Sequence, residues 1–236
     1  MSTGIETDRR TLLSVPLFAA AARWGAPPAD EFAPLAFGAF AEAWVELARA
    51  AFPAAEERDA AYLGRLLALL ARLPLEELPD FRKRNESEEF TAGPLWYEAG
   101  AAVIRFDMAP GAVLEAHDHP PQIVLTAGIA GTCTYRHFES VGPPPPHASR
   151  EEFRVRETRS GILEAGRTTA LTRGRDWIHT FEAGPGGASI ADFTFTLSSS
   201  NEFSYVDVSP EPEDAAARVY RAVSYTHLTL PTIYSV

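Results

Sequence analysis

The chain of 236 residues contains one cysteine, Cys133, and one lysine, Lys83. A single cysteine excludes an intramolecular disulfide and leaves the redox compartment open; on a strand it reads as a small buried hydrophobe. The scarcity of lysine beside abundant alanine and arginine points to a GC-rich coding bias more than to a function. Positive charge is short overall, with 21 Lys and Arg against 32 Asp and Glu and a formal net charge of −11. Phosphate backbones are gripped by clustered Lys and Arg, so this balance excludes a nucleic-acid surface. Long hydrophobic runs are missing too. The apolar stretch Ser14–Ala22 is well short of the roughly 20 residues a helix needs to cross a bilayer, so no integral membrane span is expected. What is present is 46% hydrophobic residues, enough for a substantial core, on a length that suits one β-barrel domain with appendages.

The two ends stand apart from the rest. Over residues 1–26 a basic pair, Arg9-Arg10, is followed by an apolar run and then by small residues up to Ala22, the order of an export signal. It resembles a twin-arginine signal, which implies an exported, periplasmic protein carried across already folded; a capped N-terminal helix on a cytoplasmic protein is the alternative. At the other end, residues 223–236, beginning Val223-Ser-Tyr-Thr-His227-Leu-Thr-Leu-Pro-Thr, break the preceding composition and resemble the translation of a transposon-based sequencing adapter. His227 is therefore excluded from any site.

Between Pro27 and about residue 88 the periodicity is helical. Phe32, Leu35, Phe37, Phe40, Trp44, Leu47 and Phe52 recur at helix spacing over 31–54, and Leu63, Leu66, Leu67, Leu69 and Leu70 do so over 55–78. Both stripes are broad, which predicts helices packed on the outside of a larger body. A charged connector from Pro79 to Glu89 follows. From Pro94 the period becomes two, as in Ile104, Phe106 and Met108 against Arg105 and Asp107. Further short runs at 122–126, 131–138, 153–158, 168–172, 177–181 and 189–195 are separated by Gly and Pro. Many short strands with no intervening helix predict a sandwich or barrel over 89–222.

Two of those strands carry the chemistry. In Gly111-Ala-Val-Leu-Glu-Ala-His117-Asp-His119-Pro-Pro-Gln122, alternation puts His117 and His119 on one face, roughly 7 Å apart along the strand, and turns Asp118 away. A third imidazole, His179, follows in Asp176-Trp-Ile-His179. Together the segments resemble the paired motifs of the cupin superfamily: Gly111, His117, His119, the turn glycines Gly128 and Gly131, then the late histidine. The resemblance implies a mainly β fold, a double-stranded β-helix or jelly-roll barrel with an N-terminal helical segment. Many cupins carry a metal-binding glutamate five residues after the second histidine; here that position is Val124. The remaining set of three imidazoles is similar to that of the thiol dioxygenases, namely cysteine dioxygenase, cysteamine dioxygenase and the plant cysteine oxidases. It implies Fe(II) as cofactor, with a small thiol and dioxygen as partners.

Neutral imidazoles by themselves also suit Zn, Ni, Mn and Cu. Around the metal ligands His117, His119 and His179, four further residues are candidates for the reaction. Gln122 either faces the cavity or caps a strand end. Tyr135 shares a face with Cys133 and His137, while Arg136 points inward to orient substrate or outward into solvent. Asp192 matches an aspartate of the plant and cysteamine enzymes, where it would hydrogen-bond a ligand's ring N–H. His137 and His147, on a strand and in the tetraproline loop, are outside the expected ligand set. A metal- or ligand-binding module without chemistry is the alternative to an oxygenase.

Overall fold

In the computed structural model, residues 33–51, 56–79, 85–86, 89–98, 100–119, 122–146, 149–172, 176–196 and 203–225 are described. The leader with Arg9 and Arg10, the loop residue His147 and the segment 226–236 with His227 lie outside them. Helix α1 (Phe37–Ala51) presents Phe40, Ala41, Trp44, Val45 and Ala48 as one buried stripe, and α2 (Glu56–Leu70) presents Tyr62, Leu66 and Leu70. Pro74 lacks an amide donor and pushes Leu73 out of helical geometry, so the expected run to Leu78 breaks into a 3-10 turn over Leu75–Glu77.

Ten strands follow among the described residues: β1 (Asn85–Glu86), β2 (Phe90–Glu98), β3 (Ala101–Met108), β4 (Val113–Asp118), β5 (Gln122–Ser140), β6 (Glu152–Glu164), β7 (Thr168–Leu171), β8 (Ile178–Thr196), β9 (Tyr205–Val208) and β10 (Val219–Tyr225). Sheet pairing thus begins inside the charged connector and, at the other end, runs through Val223, Ser224 and Tyr225. All the strand pairings are antiparallel, in the order β1-β2-β3-β8-β4-β9-β10-β6-β5-β7, with β8 also paired to β5. Two long strands serve both sheets. The first part of β8 lies between β4 and the end of β5, and its last part lies between β3 and the start of β5. The strands bend near Gly131 (φ +65°) and Gly187 (φ +76°), where a side chain on Gly131 would run into the Gly187 carbonyl. The pairing of His117 with Tyr205 joins β4 to β9 and closes the ring through β10 and β6 to β5. This is the expected barrel, and no helix interrupts its described residues.

The apolar residues form three clusters. The helices cover one sheet face, where Phe40, Trp44, Tyr62 and Leu66 meet Val103, Ile123, Leu125, Phe193 and Phe195. Phe40 meets Phe193 edge to face at 5.6 Å, and Trp44 Nε1 donates to the Tyr62 hydroxyl at 2.7 Å. Burying a side chain of this size contributes roughly 1.5–3 kcal/mol, which is why the helices seat there and not in solvent. The other side of the long strands carries Met108, Leu114, Cys133, Leu163, Phe181 and Ile190, the lining of the barrel that bears the histidines. A third cluster, with Ala116, Phe138, Val155, Ile178, Val206 and Ala222, fills the opposite face beneath β9 and β10.

Candidate metal centre

His117 sits near the end of β4, directly across from His179 on β8. A register shift between Leu114 and His117 lets both of these residues face Phe181 and His179, while Asp118 turns away and accepts a hydrogen bond from the Ser204 amide at 2.6 Å. His119 lies just past the strand. Its amide donates to the Trp177 carbonyl at 2.9 Å and its carbonyl accepts from the Gln122 amide at 3.0 Å, which pins the His-Pro-Pro turn. The three rings converge through Nε2: His179 to His117 is 3.0 Å and His179 to His119 is 3.1 Å. All three ligand atoms lie within 4.8 Å of one another. Nitrogens sharing an ion at about 2.0–2.1 Å stand up to about 4.2 Å apart, so both short pairs fit.

The far sides of two rings decide what those nitrogens carry. His117 Nδ1 faces the Glu115 carbonyl at 2.7 Å, and His119 Nδ1 faces Gln122 Oε1 at 2.6 Å. Both oxygens only accept, so both rings hold their proton on Nδ1 and present a bare lone pair at Nε2. Gln122 is fixed in that orientation because its amide nitrogen donates to Thr196 Oγ1 at 3.1 Å. An imidazole whose far N–H is held by an oxygen is how ligating histidines are oriented, so the donor set fits a metal. Burial also holds the imidazoles neutral, pushing His117 down to about 4, His119 to about 3 and His179 well below the usual range. Val124 is fully buried at the position where many cupins have a carboxylate, and no carboxylate joins the three-histidine group among the described residues.

The other candidates are spread around this centre. Gln122 reaches it as the partner of His119, not as a ligand. Tyr135 is on the inner side, its ring 5.1 Å from His137 and lying over Gly161, where any side chain would meet the tyrosine at 3.1 Å. Asp192 is buried, but its carboxyl accepts from Thr126 Oγ1 at 2.5 Å rather than from a ligand ring; burial pushes it up to about 7. Arg136 is not brought to the centre. Its Nε and Nη2 donate to Glu157 Oε2 at 3.0 and 2.8 Å, and its guanidinium stacks 4.8 Å from Phe138 and Tyr220 on the opposite face. A buried carboxylate there outcompetes solvent and keeps the side chain away from the histidines.

Next to these stand His137, which sequence patterning left outside the ligand set, and Arg159, which it passed over. His137 is fully buried, pairs across the sheet with His179 and bonds Thr169 Oγ1 through Nε2 at 3.0 Å. Burial and then the nearby Arg159 push it down to about 3. Arg159 lies across from His137 on β6 and is 3.6 Å from Asp176. Only the register of β5 against β6 and β8 brings these groups together, and no local spacing encodes it. Cys133 is buried and free, its thiol pushed up to about 12 by burial and then by Asp192. A surface groove of about 430 Å³ lined by Glu89, Asp107, Met108, Gly187 and Ser189 contains none of the histidines.

No family model matches the chain, and no curated protein does. Among solved structures, oxalate oxidase in complex with the substrate analogue glycolate is 18% identical over 45% of this chain and 46% of its own, with a TM-score of 0.34. KdgF from Halomonas sp. is 12% identical over 50% of this chain and 88% of its own, with a TM-score of 0.35. An uncharacterized conserved protein with a double-stranded beta-helix domain from Klebsiella pneumoniae subsp. pneumoniae is 15% identical over 56% and 92%, with a TM-score of 0.39. The chain spans less than half of the oxalate oxidase it matches. Similarity this distant lends neither activity nor ligand to the chain.

Proposed function

We propose that the protein is a cupin-type metal-dependent oxygenase, with Fe(II) held by His117, His119 and His179 and a small thiol as substrate. The reading is carried by the donor set: three neutral imidazoles, two of them fixed in the metal-binding tautomer, and no carboxylate beside them among the described residues. A divalent ion in such a set keeps its full charge and its open positions, which favours direct binding of an anion such as a thiolate. When bound, iron supplies the redox chemistry that lets dioxygen react with sulfur. Both oxygen atoms then end on the sulfur, RS⁻ + O₂ → RSO₂⁻, and no external reductant is consumed.

The chain's own residues set the conditions for this. The Glu115 carbonyl and Gln122 hold two ligand rings in orientation. Leu114 and Phe181 line the barrel with apolar surface, and Phe181 packs 4.8 Å from the His179 ring. Asp192, its ionised form disfavoured by burial and its carboxyl bonded to Thr126 Oγ1, is not among the groups that converge on the ion. Tyr135 places its ring on the inner wall beside His137. The test is metal content after anaerobic purification, followed by oxygen uptake across a panel of small thiols. The expected result is one iron per chain, with one oxygen consumed per sulfinate formed. Metal uptake with no oxygen consumption on any thiol would leave a metal-binding module instead.

A further inference from the structure

Two ligand rings are held by an oxygen on Nδ1, and the third is not. His179 is fully buried, and its Nδ1 has no hydrogen-bond partner among the described residues. One other imidazole shares that condition: Nδ1 of His137, also fully buried. The two residues are direct cross-strand partners between β5 and β8, with ring centroids 6.2 Å apart. The second nitrogen of each ring is engaged, Nε2 of His179 with the other ligands and Nε2 of His137 with Thr169 Oγ1. A buried polar atom left unpaired costs about 1–3 kcal/mol. Two of them on neighbouring rings are better explained by one shared partner than by two separate losses.

We propose that His137 is the positioning residue of the third ligand, acting through a single water held between Nδ1 of His179 and Nδ1 of His137. Ring nitrogens lie about 1.1 Å from the centroid, so these two come no closer than about 4 Å, which excludes a direct bond and leaves room for one water, whose two hydrogen bonds span roughly 5.5 Å. The proton order is self-consistent. His179, binding through Nε2, donates its Nδ1–H to the water; the water donates to Nδ1 of His137; His137 donates its Nε2–H to Thr169 Oγ1. Buried waters take such places, joining polar groups that the chain leaves unsatisfied. His137 then does for His179 what Gln122 does for His119.

This inference rests on the metal-binding part of the proposed function and not on the reaction. It is tested by Co(II) affinity and the visible spectrum of the Co(II) protein, for wild type, His137→Phe, His137→Gln and Thr169→Val. His137→Phe keeps the ring and removes both nitrogens. It is expected to lower affinity 10- to 100-fold and to alter the cobalt spectrum. His137→Gln, which can still accept from the water, should recover part of the loss, and Thr169→Val should cost less than His137→Phe. Wild-type affinity and spectrum in His137→Phe would overturn the proposal while leaving the centre intact. Should that variant fail to fold, His137→Leu takes its place, and wild-type affinity and spectrum there overturn the proposal equally. A wild-type protein that takes up no Co(II) would instead remove the centre itself, and this inference with it.

Discussion

Arg136 and His137 are neighbours in sequence and lie on opposite faces of β5, and the two faces treat buried polarity in opposite ways. On the outer face the Glu157 carboxylate, 5% exposed, is held by Arg136 on one oxygen and by Arg218 on the other. Charge is compensated in place, as a structural ion pair must be when it leaves water. On the inner face burial pushes His117, His119, His137 and His179 down and Asp192 up, so the charged form of each group is disfavoured there. Arg159 and Asp176 form the one charge pair described on that side, and it is partly exposed. A face that compensates its charges has no use for an ion. A face that gathers lone pairs and excludes counter-charge is built to receive one.

The largest expected effect breaks the inner face outright. His117→Ala, His119→Ala or His179→Ala should each reduce bound metal, measured after dialysis, to background and abolish any oxygen uptake. His147→Ala and His227→Ala should leave metal content at the wild-type level. Next comes the neutrality of Asp192. Its folded value of about 7 lies above the ordinary 3.8, so the folded state keeps a proton that the unfolded chain releases. Its contribution to stability is fully present below about pH 3.8 and is lost as pH rises through about 7, a change on the order of 4 kcal/mol. Asp192→Asn should therefore lose less stability than wild type between pH 5 and 8, in denaturant titrations run side by side. Parallel curves would mean that Asp192 is already charged in the barrel.

The parts of this arrangement differ in how far sequence reveals them, for physical reasons. The two-residue spacing of His117 and His119, the late His179 and Val124 are local features, and strand alternation alone turns Asp118 away from the rings. The helices are legible from their stripes because one face of each, Phe40 with Trp44 or Tyr62 with Leu66, must be buried. Arg136 is a different case. Alternation says that it opposes His137 but not which face is the barrel interior, and only the buried Glu157 on the next strand fixes it outward. Asp192 and Thr126 are 66 positions apart, and His137 and Thr169 are 32 apart. Such pairs depend on register, which the bulges near Gly131 and between His137 and Phe138 reset.

A smaller effect sharpens the inner face. Gln122→Ala leaves His119 Nδ1 without its acceptor and frees the ring to turn, which should lower metal affinity about 10- to 100-fold, or about 1.4–2.7 kcal/mol. Gln122→Glu keeps an acceptor at the same reach and should restore most of it. Competition titration of the metal checks both variants. Equal loss in the two would mean that Gln122 acts through Thr196 and the turn rather than through the imidazole.

The smallest effect on the metal, and the sharpest division between the faces, is expected from Arg136→Ala. Glu157 keeps Arg218, and the Tyr220 hydroxyl stands 3.4 Å from its other oxygen, so the carboxylate stays partly compensated. What is lost is one charge-assisted pair and the stacking of the guanidinium on Phe138 and Tyr220, together about 1–3 kcal/mol of stability. Chemical denaturation should register that loss, and Arg136→Lys should recover only part of it, because an ammonium cannot reproduce both the two-nitrogen contact and the stacking. Metal affinity should stay within about twofold of wild type, a change of about 0.4 kcal/mol. A tenfold fall in metal affinity with stability unchanged would mean that the faces are not independent. Arg136 would then belong with the histidines, as the strand pattern first allowed.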